Sequence, residues 1–551
     1  MKKQVFWVIA LLCILALWCF QNAITVNIPW WDDFHGIILP VYDLFTDKSL
    51  MEKFSNFFSL NNEHRVVNDR LFTLLIYLVT GRFELKALAL LGFVNLVAIF
   101  LLLVKVLRMQ KVPLMAILPV LFLIFHAQYY ESLQSLMVPF QNFSVILYML
   151  LSLYFLTFRE KTGLAFFFAL AALFSHGNGI LVFILGALIL LIHEKYKTAG
   201  WWTVLSVATI FLYFMGYTKP SWTSTDVVSP WKDPLAAIRY AFEFLGAYSL
   251  NLTNISTAVS QSDLEKIIPQ LTGFLAVSGL LFLVLKKYPL KNLRVAVKAL
   301  QKSRSDQFFL AMIAFFVATG IMMGLTRTGF PVLSRYTINS SFFLAGIWCF
   351  YVTHYSPKPA RLVSILSFGG LLLTYYNASE RAFFNRQNAI TDGINYRLNG
   401  TWANQYSDSA HVARVNPLLT EPLKSGKYVF PAEPLAGFRK WDALKNKEKT
   451  DYSIVDGHLM ISGTNPDPEK DLFFSLESES HQFIFPARRI RNNPKAMLLQ
   501  KSYYADQYRT IFPVHVIPAD NYRIFRIERT GPDQFLKYDL GRTLTREKMV
   551  L

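Results

Sequence analysis

Long apolar runs broken by short polar gaps fill the first 370 or so residues, and a shorter, alternating pattern follows them. A membrane span needs about 20 mainly apolar residues. On that measure the runs predict spans near 4–24, 84–106, 112–127, 137–158, 163–176, 178–193, 200–217, 266–286, 306–325, 336–354 and 361–376. Val66–Thr80 and Leu235–Leu250 carry charge on an apolar background (Asp69 and Arg70; Arg239 and Glu243). They are expected as amphipathic helices at the outer membrane surface, the alternative being an extra short span at each. After Tyr376 no run is long enough to cross. Asn377–Asn399 predicts a helix leaving the membrane. Alternating strands are expected at Tyr452–Val455, His458–Ser462, Leu472–Ser475, Gln482–Phe485, Arg509–Val516 and Tyr522–Ile527. The expected fold is therefore a polytopic α-helical membrane protein with about eleven transmembrane helices. Residues 1–376 form the membrane module, with an outer first loop over 25–83. Residues 377–551 form an extracytoplasmic β-rich or α+β domain, β-rich after about 428.

Composition agrees with the pattern. Hydrophobic residues make up 53% of the 551 and charged residues only 17%, against about 25% charged in a soluble chain. The three cysteines, Cys13, Cys19 and Cys349, lie in apolar runs. Neither a disulfide framework nor a thiolate metal site is expected. Net charge is +18, which raises the question of nucleic acid. The stretches Met1–Lys3, Lys105–Lys111, Arg159–Thr162, His193–Thr198, Lys286–Ser305 and Tyr355–Arg361 hold 18 Lys and Arg and 2 acids, +16 of that +18. All fall on one side if the chain starts inside and crosses at each predicted span. This is the positive-inside pattern, so the charge reports topology and no nucleic-acid partner is expected. The N-terminus is expected in the cytoplasm, the C-terminal domain outside, and the location in a bacterial inner membrane. The first apolar run lacks a small-residue cleavage site and is kept as a span.

Ionisable groups at membrane depth cost roughly 2.5–3.5 kcal/mol each. Here nearly all the unusual ones collect at the predicted outer face. The first loop opens Trp30-Trp31-Asp32-Asp33-Phe34-His35. Adjacent carboxylates repel one another, so one can serve as a general base, or the pair can hold a divalent cation such as Mg or Mn. The plainer alternative is a solvated turn or a helix cap by Asp33. The loop continues Asn61-Asn62-Glu63-His64-Arg65, where His64 and Arg65 suit a phosphate and Asn62 and Glu63 suit helix capping. Other groups on this face are Glu131 after Tyr129-Tyr130, His176 before Gly177-Asn178-Gly179, Lys219, Arg327, and Ser334-Arg335-Tyr336. A lone His176 is commonly a structural residue, and Arg335 at a span start can simply snorkel. Asn-x-Ser/Thr sequences at Asn251, Asn254, Asn377 and Asn399 are all predicted outside. No nucleotide-type phosphate loop occurs.

An Asp-Asp pair just beyond the first span, a long first outer loop with the Asn62–Arg65 stretch, and the Arg327…Ser334-Arg335-Tyr336 turn together resemble the GT-C superfamily. These are polytopic glycosyltransferases that use polyprenyl-phosphate-linked sugars. The resemblance covers about residues 1–376 by architecture. The Trp-Trp-Asp tripeptide at Trp30–Asp32 lies in the first loop, not in the soluble domain where oligosaccharyltransferases carry it, which argues against that branch. The resemblance implies that Asp33 or Asp32 deprotonates or orients an acceptor hydroxyl, with slight preference for Asp33. Arg65, Arg327 and Arg335, with Lys219 and His64 behind them, would hold the donor phosphate. Glu63, Glu131, His176 and Tyr336 are further candidates. The donor would be a polyprenyl-phosphate sugar. The acceptor would be a cell-surface glycan or lipid-linked molecule, and the transfer would invert the anomeric carbon.

Three other readings compete. A transporter or flippase of a lipid-linked glycan would place polar groups near the bilayer midplane. A ligase moving whole glycans would use the same basic rim. An assembly protein would not need the first-loop acids. For the C-terminal domain, glycan binding and a packing role stand equal.

Overall fold

A computed structural model describes residues 3–217, 233–253, 263–289, 292–404, 409–445, 450–465 and 467–546. The chain is mostly helical, with strands gathered near its C-terminus. Contacts divide it into two units. The first comprises Met1–Ala23, His35–Leu75 and Ala87–Ala378, and the second Ile24–Phe34, Ile76–Lys86 and Ser379–Leu551. The stretch 25–83, a single outer loop in the sequence, is thus shared between them.

In the first unit every predicted span is helical. Among the described residues, six helices are long and apolar enough to cross a membrane: Lys3–Ile24, Leu85–Met109, Val138–Arg159, Lys266–Lys287, Arg304–Arg327 and Ala360–Asn399. Shorter apolar helices occupy Leu114–Ile124, Thr162–Leu173 and Gly177–Ile192. Tyr196–Phe214 and Thr337–His354 complete the predicted set. Many of their outward side chains are large and apolar (Trp201 70%, Phe211 70% and Phe282 65% exposed). Such surfaces need lipid around them.

The stretch Leu235–Leu250, expected as a surface helix or an extra short span, is helical over most of its length. Pro234–Gly246 starts with Asp233 accepting the Ala236 N–H at 2.9 Å, and it packs between the helices ending at Lys287 and Arg327. Glycines make this possible. A Cβ on Gly246 would overlap the Pro269 carbonyl oxygen, and one on Gly273 the Phe242 carbonyl oxygen. Backbones approach this closely only where side chains are absent. Val67–Thr80 carries its charges inward, with Asp69, Arg70 and Thr73 buried. Arg70 donates to the carbonyls of Gly36, Phe57 and Ser59, each at 2.7 Å.

Asp306 is another buried acid. It is fully enclosed and gathers Lys287 at 2.7 Å, the Tyr288 hydroxyl and His354. A buried carboxylate persists only with such partners, and this one ties three helix ends together.

The second unit has two sheets. The strands are β1 (Ala443–Lys445), β2 (Thr450–Val455), β3 (His458–Thr464), β4 (Leu472–Glu477), β5 (Gln482–Pro486), β6 (Arg488–Arg491), β7 (Tyr504–Pro513), β8 (Asn521–Arg529) and β9 (Phe535–Thr545). One sheet has the order β1-β9-β8-β4-β5 and the other β2-β3-β7-β6. They pack face to face through aromatic rings. Phe485 stacks on Phe512 with centroids 4.6 Å apart, and Phe474 meets Tyr508 at 5.7 Å. The edge strand β5 is covered by the helix Ala360–Asn399. Asn395 bonds both the N–H and the carbonyl of Ile484 at 2.8 Å, and Asn399 does the same for Gln482 at 3.2 and 2.7 Å. Two asparagines one turn apart thus stand in for a missing strand, which removes an open edge.

Candidate functional site

The acid pair lies in the second unit. Trp31 adopts a left-handed conformation (φ 47°), which folds Trp30–Asp33 into a tight turn. Asp33 N–H donates to the Trp30 carbonyl at 3.0 Å, and Trp30 N–H donates back to the Asp33 carboxylate at 2.8 Å. The Asp33 side chain is buried, whereas Asp32 is half-buried. Phe34 anchors the turn edge-on against Trp402, centroids 5.4 Å apart. The Asp33 carboxylate thus accepts from the turn that precedes it.

Tyr428 is its electrostatic neighbour. Burial holds the phenol well above its ordinary range. Arg397 opposes that, while Asp33 and Glu84 reinforce it. The phenol donates to the Asn27 carbonyl at 2.6 Å. Arg397 lies 5.7 Å over the Phe430 ring. Glu433 is raised by burial against the pull of Arg386, Arg529 and Arg397. None of these cations belongs to a motif. They stand on helices and strands distant in sequence, and only a helical-face analysis of Arg386 and Arg397 would have singled them out.

In the first unit, Asn61 and His64 exchange backbone hydrogen bonds at 2.7 and 3.0 Å, with Asn62 left-handed (φ 53°). This turn projects Glu63 and His64. Glu63 pairs with Arg327 at 3.1 Å. His64 lies against His176 with ring centroids 4.1 Å apart and planes tilted by 36°. A Cβ on Gly177 would press on His64 Nδ1, so that glycine gives the imidazole its place. His64 Nδ1 has no solvent contact and no hydrogen-bond partner among the described residues. Burial, then the Arg327 charge, push its pKa down to about 4, so the ring is neutral at physiological pH. His176 is held by Asn178 at 2.9 Å, and Asn178 donates to Thr319 at 3.3 Å.

Arg65 does something the sequence did not suggest. Its guanidinium donates to the carbonyls of Tyr213 (2.6 Å), Met215 (2.6 Å) and Phe58. All three nitrogens are thereby committed to backbone, which makes Arg65 a clamp on the loop. Lys219 lies outside the described residues.

Glu131 and Arg335 come together at a second point of the same unit. Arg335 N–H donates to the Glu131 carboxylate at 3.2 Å, and Ser334 donates to the Gln128 carbonyl at 2.6 Å. The Arg335 guanidinium lies 5.3 Å over Tyr336. Tyr240 links the two points: its phenol, raised by burial, also feels Tyr336, Glu243 and Arg327.

The same unit holds an apolar groove of about 620 Å³. It is lined by residues such as Leu123, Leu275, Phe282, Leu344, Trp348 and Val363, with Tyr248 among its few polar groups. The Tyr248 hydroxyl has no partner among the described residues. Its ring meets His126 at 5.2 Å, and Gln128 N–H donates to His126 at 3.2 Å. Tyr248, which lines the groove, His126, Gln128 and Ser334, the residue before Arg335, touch one another in turn.

No group of three or more His, Cys, Asp or Glu placed to hold a metal occurs among the described residues. Asp32 and Asp33 alone supply two carboxylates, one already engaged with Trp30. A divalent cation there would take most of its roughly six oxygen ligands from water or substrate. No protein-family model, curated protein or solved structure matches this chain.

Proposed function

We propose that this protein is a membrane glycosyltransferase, moving a sugar from a polyprenyl-phosphate donor to a hydroxyl of a glycan or lipid-linked acceptor. One observation carries the proposal: an apolar groove of the helical unit is joined to the Arg335 turn by a relay of contacts through Tyr248, His126, Gln128 and Ser334. A lipid with a long apolar tail and a phosphate head has this polarity sequence. In this reading the chain crosses eleven times with its cation-rich loops in the cytoplasm of a bacterial cell, and the donor head lies at the outer leaflet.

The chemistry follows from charge. An Asp33 or Asp32 carboxylate takes the acceptor proton. The acceptor oxygen then attacks the anomeric carbon from the face opposite the phosphate, and the C–O bond to phosphate breaks with inversion. Negative charge grows on the leaving phosphate, so Arg335 and Arg327 stabilise the transition state more than the ground state. Asp33 is the better base, because burial and its fixed turn orient it. Asp33→Asn keeps an acceptor for Trp30 N–H and removes the basicity.

The test is mass spectrometry of surface glycans from strains carrying Asp33→Asn or Asp32→Asn in a deletion background. A missing sugar residue together with accumulated polyprenyl-phosphate sugar is expected for at least one variant. Normal glycan in both, with the protein at the membrane, refutes the assignment.

A further inference from the structure

The helix Leu293–Lys302 plays no part in that chemistry. Asn292 caps it, accepting the Val295 N–H at 3.2 Å. Its three cations, Arg294, Lys298 and Lys302, recur every fourth residue and so form one stripe. None has an ion-pair partner among the described residues. Neighbouring cations do find one: Arg304 and Lys195 share Glu160 at 2.5 and 2.8 Å. Like charges at this spacing destabilise a helix. Arg294, in the first turn, also meets the positive end of the helix dipole. The helix therefore carries a charge conflict that the protein does not resolve.

The rest of its surface indicates what does. Ala296 is buried and Leu300 half-buried against the protein. Val297 (40% exposed) and Val295 (60% exposed) flank the cationic stripe on its two sides. A cationic stripe edged by exposed valines matches the boundary between phosphate headgroups and acyl chains. Long basic side chains reach the phosphates there while the valines sit deeper. A nucleic acid would satisfy the charges but leave the valines in water.

We infer that Leu293–Lys302 is a binding surface for anionic phospholipid headgroups, lying in the interface of the membrane that surrounds the helical unit. Lipid phosphates cancel the repulsion along the stripe and complete the helix.

The test uses the full-length protein in nanodiscs of phosphatidylcholine, alone or with phosphatidylglycerol. A bimane label is placed at Val297→Cys with Cys13 and Cys19 changed to Ser; Cys349 is buried. Blue-shifted emission is expected in the anionic discs only, reversed by high salt. Arg294→Gln, Lys298→Gln and Lys302→Gln should each weaken phosphatidylglycerol binding about fivefold, and together abolish the shift. Equal emission in both lipids overturns the inference, as does a shift retained by the triple variant. A label that stays in water in both discs also overturns it and leaves this face to a protein partner. The comparison between lipids needs no variant of the stripe, so it decides the matter even if the triple variant fails to fold.

Discussion

Arg327 and Glu63 meet at 3.1 Å although 264 positions separate them in the chain. Both side chains are more than a quarter exposed, and a pair so exposed contributes only about 0–1 kcal/mol. Stability alone therefore gives little reason for it. If the pair orders Arg327 for a donor phosphate, Glu63→Gln lowers transfer by roughly tenfold or more, about 1.4 kcal/mol, with little change in thermal stability. Transfer within twofold of wild type would remove Arg327 from the site.

Arg65 gives the opposite expectation. Its three carbonyl bonds make it a scaffold residue, and lysine cannot reproduce that fork. Arg65→Lys should destabilise the protein by about 1–3 kcal/mol, measured by thermal unfolding in detergent. Affinity for the donor should stay near wild type in the protein that remains folded. A large loss of donor affinity without loss of stability would return Arg65 to phosphate binding.

His64 predicts a pH effect. Unfolded, it takes up a proton near pH 6.5; folded, burial and Arg327 delay this to about pH 4. The unfolded state binds the extra proton between these values. Stability from this group is therefore complete above about pH 6.5 and lost as pH falls toward 4. His64→Gln should flatten the unfolding midpoint over that window and leave the difference constant above pH 7. Parallel curves from pH 4 to 8 would contradict the burial of Nδ1.

Gly246 and Gly273 test the helix packing. Gly246→Ala or Gly273→Ala forces a methyl group into the facing backbone, and overpacking of this kind costs about 1–3 kcal/mol or more. Reduced yield and a lower unfolding midpoint are expected for both, whereas Gly279→Ala, which meets nothing within 4 Å, should be neutral. Equal stability of all three would mean that Pro234–Gly246 does not pack between its neighbours.

Much of the β-rich unit was legible and part was not, for identifiable reasons. β3 announced itself by alternation, because one of its faces is buried. β6 reads Arg-Arg-Ile-Arg and looks like a solvated loop; only its pairing with β7 makes it a strand. The first three residues of β9 to pair, Phe535–Lys537, have no such cue, and β1 is exposed throughout. The helix Ala360–Asn399 was expected to end the membrane segment, but its closing asparagines looked like ordinary polar residues.

The sequence by itself determined the segregation of this chain: which stretches are long and apolar, and which are polar. Those are averages over about 20 residues, and neighbours in sequence suffice to set them. Tertiary structure alone decided what each polar group does. Arg65 became a clamp, Arg327 found Glu63, and Asp33 closed a turn onto Trp30 near Tyr428 and Arg397. Electrostatic and hydrogen-bond energies fall off over a few ångströms, and those ångströms are fixed by which distant loops the fold brings together.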